Sequence, residues 1–179
     1  RLWQVFFEKQ AIDGLSPEAQ IGLYGELYFL ENHVLNLTRS SQKGLRSWVG
    51  PENRQQDFQF GSLSVEVKTT SSKQHQKLKI ASEQQLDETS LGRLYLFCLS
   101  VSLIENYVET LPEIISRIRN SLSEASIALE IFNNALLERG YLDIHVARYS
   151  NTGYSIRTTR LFLVDEEFPR IKEKELRKG

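Results

Sequence analysis

Residues 55–70 read QQDFQFGSLSVEVKTT, and they set Asp57, Glu66 and Lys68 among the apolar residues of an apparent β-hairpin. Charged side chains are depleted from strands and costly in a core unless something pairs with them. Taking Gly61-Ser62 as a two-residue turn of the II′ kind pairs Phe60 with Leu63, Gln59 with Ser64, Phe58 with Val65, Asp57 with Glu66 and Gln55 with Lys68. Side chains alternate along a strand, so Phe58, Phe60, Leu63, Val65 and Val67 share one face, while Asp57, Gln59, Ser64, Glu66, Lys68 and Thr70 share the other. Opposed carboxylates roughly 5 Å apart repel, which calls for positive charge between Asp57 and Glu66. Lys68 supplies part of it, and on a solvated face that would make an ordinary surface ion pair. Hard oxygen ligands at this spacing also suit Mg²⁺, which takes one or two carboxylates together with waters and phosphate oxygens, and the backbone carbonyl of Val67 offers a further ligand. An ion held in this way would act on a phosphate group.

Two further residues join the set. Glu26 lies amid apolar neighbours in GLYGELYFL, an unusual place for a carboxylate if that helix packs on a sheet. Gln85 opens a segment after the hairpin whose first turn can face the same pocket.

The elements that must position these groups can be read from the pattern. Ser16-Pro17 is a helix start, a capping hydroxyl followed by a proline at the first helical position. The helix should run to about Leu37, with Ile21, Tyr24, Leu27, Tyr28 and Val34 on one face. Residues 38–55 read as a polar connection with a short strand around Leu45–Val49. After the hairpin come a short helix from Ser82 to Leu91, a buried strand over Arg93–Leu103, helices over Leu111–Leu122 and Ser123–Arg139 closed by Gly140, and a strand over Tyr154–Val164. The Ile114/Ile118 and Ile127/Ile131 spacings read as core stripes. The class is α/β, a mixed central sheet flanked by helices in the order α-β-β-β-α-β, with later helices and a late strand. A single domain over 1–179 is expected, its core at about 16–104 and a C-terminal extension at 105–179.

Composition bounds the rest. The chain has 179 residues, 40% hydrophobic and 25% charged, with a net charge of −1, so it is globular and no bulk polycation. Charge is uneven: residues 39–79 hold eight basic residues against three acids, and residues 101–143 hold seven acids against three arginines. Lys73, Lys77 and Lys79 are the candidates for phosphate contact. One cysteine, Cys98, excludes a disulfide framework and reads as a buried structural thiol. No run is long and apolar enough to span a bilayer, and a cytoplasmic location is expected. The chain begins at Arg1 and contains no methionine, which suggests a fragment, a processed chain or a sequence with residues missing. His33, His75 and His145 have no ligand-spaced partners, and neither a glycine-rich phosphate loop nor a GxSxG elbow is present. Trp48 reads as a core anchor, with base stacking as the alternative.

The order helix, strand, strand, helix, strand, with Asp57, then Glu66-Val67-Lys68, and an acid on the preceding helix at Glu26, resembles the PD-(D/E)XK nuclease superfamily, the fold of many restriction endonucleases. Gln56 stands where the family name has proline. A closer resemblance is to a group of bacterial PD-(D/E)XK motif proteins, through GLYGELYFL, WVGPENRQQDF, VEVKTT, IASEQQLD with LYLFCL, and RGY with EEFPRI, in register from Ile21 to Ile171. The resemblance implies a metal-dependent DNA endonuclease in bacterial restriction or defence. Asp57, Glu66 and Val67 would hold Mg²⁺, with Mn²⁺ as an alternative. Lys68 would orient water or stabilise the transition state, Glu26 would position Lys68 or complete a second metal site, and Gln85 with Ser82 would bind water or phosphate. The implied partners are DNA and either a second copy of the chain or other subunits of a restriction system. The alternative is a nuclease-fold module that binds DNA or docks a partner without cutting.

Overall fold

The computed structural model describes residues 14–52, 56–71, 92–105, 109–165 and 168. Helix α1, Pro17–Phe29, starts as the sequence dictates: Ser16 is extended, its hydroxyl accepts the Ala19 N–H at 3.2 Å, and Pro17 fills the first turn. It does not continue as one α-helix to Leu37. A π-helical turn over Leu30–Leu35 completes it, the single-turn form in which π geometry usually occurs. Nor is the helix striped. Leu23, Tyr24, Gly25, Glu26, Leu27 and Phe29 are all buried, whereas Ile21 and Tyr28 are only partly so. A helix covered nearly all round has no polar face on which a carboxylate can stay wet, and this is why Glu26 lies inside.

The polar connection that follows is more structured than its composition suggests. Ser40 caps α2, Ser41–Arg46, where a strand was expected to begin, and a 3₁₀ turn covers Gly50–Glu52. Of the expected strand only a bridge between Trp48 and Phe58 remains. That bridge is nonetheless firm: Gln59 N–H donates to Ser47 C=O at 2.8 Å, and Val49 and Gly50 N–H both donate to Asp57 C=O at 2.9 Å.

Strands β1, Phe58–Phe60, and β2, Leu63–Thr70, form the expected hairpin in the expected register, with Gly61 at φ +61 as a primed turn requires of its first central residue. Strand β3, Arg93–Ile104, lies parallel to β2, and β4, Gly153–Val164, lies antiparallel to β3. The sheet is therefore mixed, in the order β1-β2-β3-β4. Residues 72–91 join the parallel pair; they hold Ser82, Gln85, the three lysines and the helix expected there, and they lie outside the described residues.

One face of the sheet carries Val65, Val67, Phe97, Leu99 and Val101 into the main core against α1, where the Phe29 ring lies 4.9 Å from those of Phe58 and Phe97. Helices α3, Leu111–Ser121, and α4, Ser126–Glu138, close this core through Ile114, Ile115, Ile118, Ala128 and Phe132. In α4 the core stripe is Ala128, Phe132 and Leu136; Ile127 is exposed, so the expected Ile127/Ile131 stripe is displaced by one position. The opposite face carries Leu94, Leu96, Cys98 and Val164, with Phe168 packed against them. The Cys98 thiol is buried as expected, and burial pushes its pKa up to about 11. Where both faces of β2 and β3 are covered, Glu66 and Ser64 are buried as deeply as their apolar neighbours. Among the described residues no helix is long and apolar enough to cross a membrane.

Gly25 sets how close α1 comes to β2. A Cβ built there would run into the Oγ1 of Thr69 and lie 3.0 Å from its Cβ. Gly25→Ala is therefore expected to lower the unfolding free energy by about 1–3 kcal/mol, the usual cost of overpacking. Adding Thr69→Ala should restore part of that loss, as read by denaturant titration; no recovery in the double variant would show that the contact does not limit the approach.

Candidate active site

Strand β1 stops at Phe58 while β2 runs on to Thr70. The two do not pair at Asp57 and Glu66 as the hairpin arithmetic extrapolates. Asp57 instead turns its carboxylate into the notch beyond the end of β1, where Oδ2 accepts the Val67 N–H at 2.9 Å. A side chain thus takes the place of the missing strand partner. Because N–H and C=O of one strand residue point to the same side, the Val67 carbonyl also faces this notch. Asp57 is fixed from behind by the two N–H groups of Val49 and Gly50 on its own carbonyl.

Three other groups converge there. Glu26 is 6% exposed and accepts Trp48 Nε1–H at 2.8 Å on Oε2. Arg139, the last residue before the left-handed Gly140 (φ +81), forks onto the same carboxylate: its Nε donates to Oε2 at 3.0 Å and its Nη2 to Oε1. The same Nη2 reaches Asp57 Oδ1 at 3.1 Å. Glu66 is 2% exposed, and its Oε1 pairs with Lys68 Nζ at 2.7 Å. Its Oε2 is buried without a hydrogen-bond partner.

The electrostatics follow from the census. Burial first, then the charges of Glu26 and Glu66, push Asp57 well above the usual carboxylate range, against the pull of Arg139 and the Val67 N–H. Burial likewise raises Glu66, with Lys68 opposing. Burial alone would lower Arg139, but Glu26, Asp57 and Glu66 outweigh it and hold the guanidinium above its ordinary value. Three carboxylates face two cations, so the cluster is one positive charge short. Among the described residues no three acids, histidines or cysteines stand close enough to cage an ion unaided. A divalent ion would instead draw on Asp57, the orphaned Glu66 Oε2, the Val67 carbonyl and water, a donor set of the hard-oxygen kind that Mg²⁺ and Mn²⁺ take. The residues present fit such an ion.

Of the sequence-selected residues, the fold brings together Glu26, Asp57, Glu66, Val67 and Lys68, while Gln85 lies outside the described residues. Glu26 touches Trp48 and Arg139 rather than Lys68, whose described partner is Glu66. Trp48 is 3% exposed with its N–H spent on Glu26, so it anchors the core and is not available for base stacking. Two participants escape a reading of the hairpin. Arg139 lies eighty-two residues from Asp57, in the RGY whose arginine looks like a helix end. Gly50 looks like a turn residue, yet a Cβ there would sit 2.9 Å from both Arg139 Nη2 and Asp57 Oδ1 and 3.2 Å from Glu26 Oε2.

Among the described residues a mixed four-stranded sheet with flanking helices, and a notch holding an acid, an E-x-K strand and a helix-borne glutamate, make this a restriction endonuclease-like α/β fold of the PD-(D/E)XK type. Over residues 1–179 the chain matches the DUF4420 family, described as "Putative PD-(D/E)XK family member", and it belongs to that family. No curated protein and no solved structure matches it.

The raised carboxyl of Asp57 makes a signed prediction. An acid with a higher pKa in the folded than in the unfolded state binds more protons when folded, so its unfavourable effect at neutral pH fades as pH falls toward the ordinary carboxylate value near 4. Asp57→Asn keeps an acceptor for Val67 N–H and removes the repelling charge. In EDTA its melting temperature should exceed the wild type's by a few degrees at pH 7.5, and the gap should narrow by pH 5. A gap that widens on acidification would contradict the assignment.

Proposed function

We propose that the protein is a divalent-metal-dependent DNA endonuclease that hydrolyses phosphodiester bonds, working in bacterial restriction or defence. The observation that carries this reading is the notch beyond β1: Asp57, the Val67 carbonyl side and a buried, unpartnered Glu66 oxygen beside Lys68. A bound Mg²⁺ or Mn²⁺ would lower the pKa of a coordinated water and offset charge on the scissile phosphate. The residues of the chain do the rest. Asp57 and Glu66 present oxygens held by the Val67 N–H and by Lys68, so the ligand meets carboxylates already oriented. Lys68 holds a compact ammonium at the mouth, 18% exposed, where it can donate to the attacking water or to a phosphate oxygen. Glu26 and Trp48 keep Arg139 and Asp57 in place. Gln85 and Ser82, with Lys73, Lys77 and Lys79, are assigned to water and phosphate contacts on the resemblance and on their charge.

The sheet face that bears Glu66 offers one more cation. Lys68 is in register with Cys98, and Cys98 with Arg160 of β4, and the Arg160 side chain is exposed. Two strand spacings separate Lys68 from Arg160, about 10 Å, so the two cations lie on one sheet face within the span of a single nucleic-acid backbone.

The direct test incubates the purified protein with DNA at fixed salt in Mg²⁺, Mn²⁺ or EDTA. Metal-dependent cutting should appear and fall at least about a hundredfold in Asp57→Ala, Glu66→Gln and Lys68→Ala. Arg160→Ala should weaken DNA binding across sequences and reduce the salt slope by about one. Binding without cutting under every metal condition would favour a nuclease-fold docking module instead, and neither activity would reject both.

A further inference from the structure

Arg139 sits against Asp57, one of the two carboxylates assigned above to the metal. It is joined to Glu26 by a two-pronged contact through Nε and Nη2, but to Asp57 only by the outer bond of Nη2 at 3.1 Å. The backbone beneath it is rigid, because Gly140 N–H donates to Leu137 C=O and Tyr141 N–H to Leu136 C=O, both at 2.9 Å, the paired bonds of a Schellman motif. Gly50 forms the other wall, too close to the guanidinium and to Asp57 to carry a side chain. The arginine is thus anchored on Glu26 and Gly140, and its bond to Asp57 is the one that can be exchanged.

We infer that Arg139 is the resting counter-cation of the site, and that a divalent ion binds by competing with its guanidinium for Asp57. This rests on the reading of Asp57 and Glu66 as metal ligands. The charges make the competition consequential. With the ion present and Arg139 still held by Glu26, the cluster passes from one charge negative to one charge positive, which a single phosphodiester group neutralises. Arg139 therefore keeps ion affinity low in the free protein and ties tight ion binding to the arrival of a backbone phosphate. It acts on the ion through Asp57 and is a positioning residue.

The test is the affinity of the full chain for Mn²⁺ without DNA, followed by calorimetry or by the paramagnetic resonance of free Mn²⁺, with Asp57→Asn defining the site. Arg139→Gln should bind Mn²⁺ about tenfold tighter than the wild type, since a unit charge a few ångströms away carries an energy of that order or more at an effective dielectric constant near 20. Arg139→Lys, which keeps the charge, should stay near the wild type. A purely structural arginine would do the opposite, because loosening Asp57 weakens its ligands. Should Arg139→Gln fail to fold with Glu26 left unpaired, the Glu26→Gln/Arg139→Gln pair removes both buried charges, and a threefold or greater tightening is expected there. Mn²⁺ binding that Asp57→Asn abolishes but Arg139→Gln does not tighten would overturn this inference alone, as would equal tightening in Arg139→Lys. Absence of Asp57-dependent Mn²⁺ binding from the wild type and every Arg139 variant would remove the metal-site reading beneath it.

Discussion

The site depends on one substitution of a side chain for a strand. Because β1 begins two residues short of the position opposite Val67, the Val67 N–H has no ladder partner there, and Asp57 Oδ2 fills that position at 2.9 Å. A buried N–H left alone would cost about 1–3 kcal/mol, so the backbone itself demands an acceptor there. The demand brings a carboxylate into a buried place where charge is costly. Its consequences then propagate outward. The carboxylate needs a cation, Arg139 reaches in from α4, and the arginine in turn needs Glu26, which α1 can deliver only because Gly25 lets the helix approach β2 so closely. Four separated segments are thereby tied to one unpaired amide.

This arrangement runs against the usual economy of a core. Buried ion pairs are seldom better than apolar residues of the same volume, since desolvation offsets their attraction. Here the pairing is also incomplete: Glu66 keeps one oxygen without a partner, and burial raises both Asp57 and Glu66. Local rules that a sequence breaks without compensation mark functional sites, because there the strain is part of what the site does. The missing compensation in this cluster is one positive charge and one partner for a hard oxygen, both of which a divalent cation would supply, with one positive charge left over.

What could be read from the residues follows the range over which each signal acts. The hairpin register is legible because a two-residue turn fixes the pairs next to it, and Phe58↔Val65, Gln59↔Ser64 and Phe60↔Leu63 all form, while the pair extrapolated to Asp57 and Glu66 does not. The Arg93 strand, α3 and the late strand were legible from continuous or periodic apolar runs. Pattern failed where contacts across the chain decide. The residues around Leu45 are helical because Ser40 caps them, whereas the strand expected there survives only as the bridge that Phe58 offers to Trp48. Glu26 was conspicuous as a carboxylate in an apolar helix, but its partners were not, since an arginine at a helix end and a glycine before a proline look like punctuation. Their meaning lies in side-chain contacts spanning up to 113 residues of sequence, which no local period encodes.

Arg139 also clarifies why the segment after residue 105 is tied to the hairpin. An arginine on a surface helix gains little from a distant carboxylate, because screening removes most of the attraction. Placed at the end of α4, where a glycine turn fixes the backbone and Glu26 lies buried within reach, the same side chain pairs away from most of that screening. The α4 terminus is consequently as much a part of the cluster as the hairpin is. The glycine turn after α4 brings the cation to Asp57, while the start of β1 and the length of β2 place the carboxylates, and a ligand that enters the notch meets both.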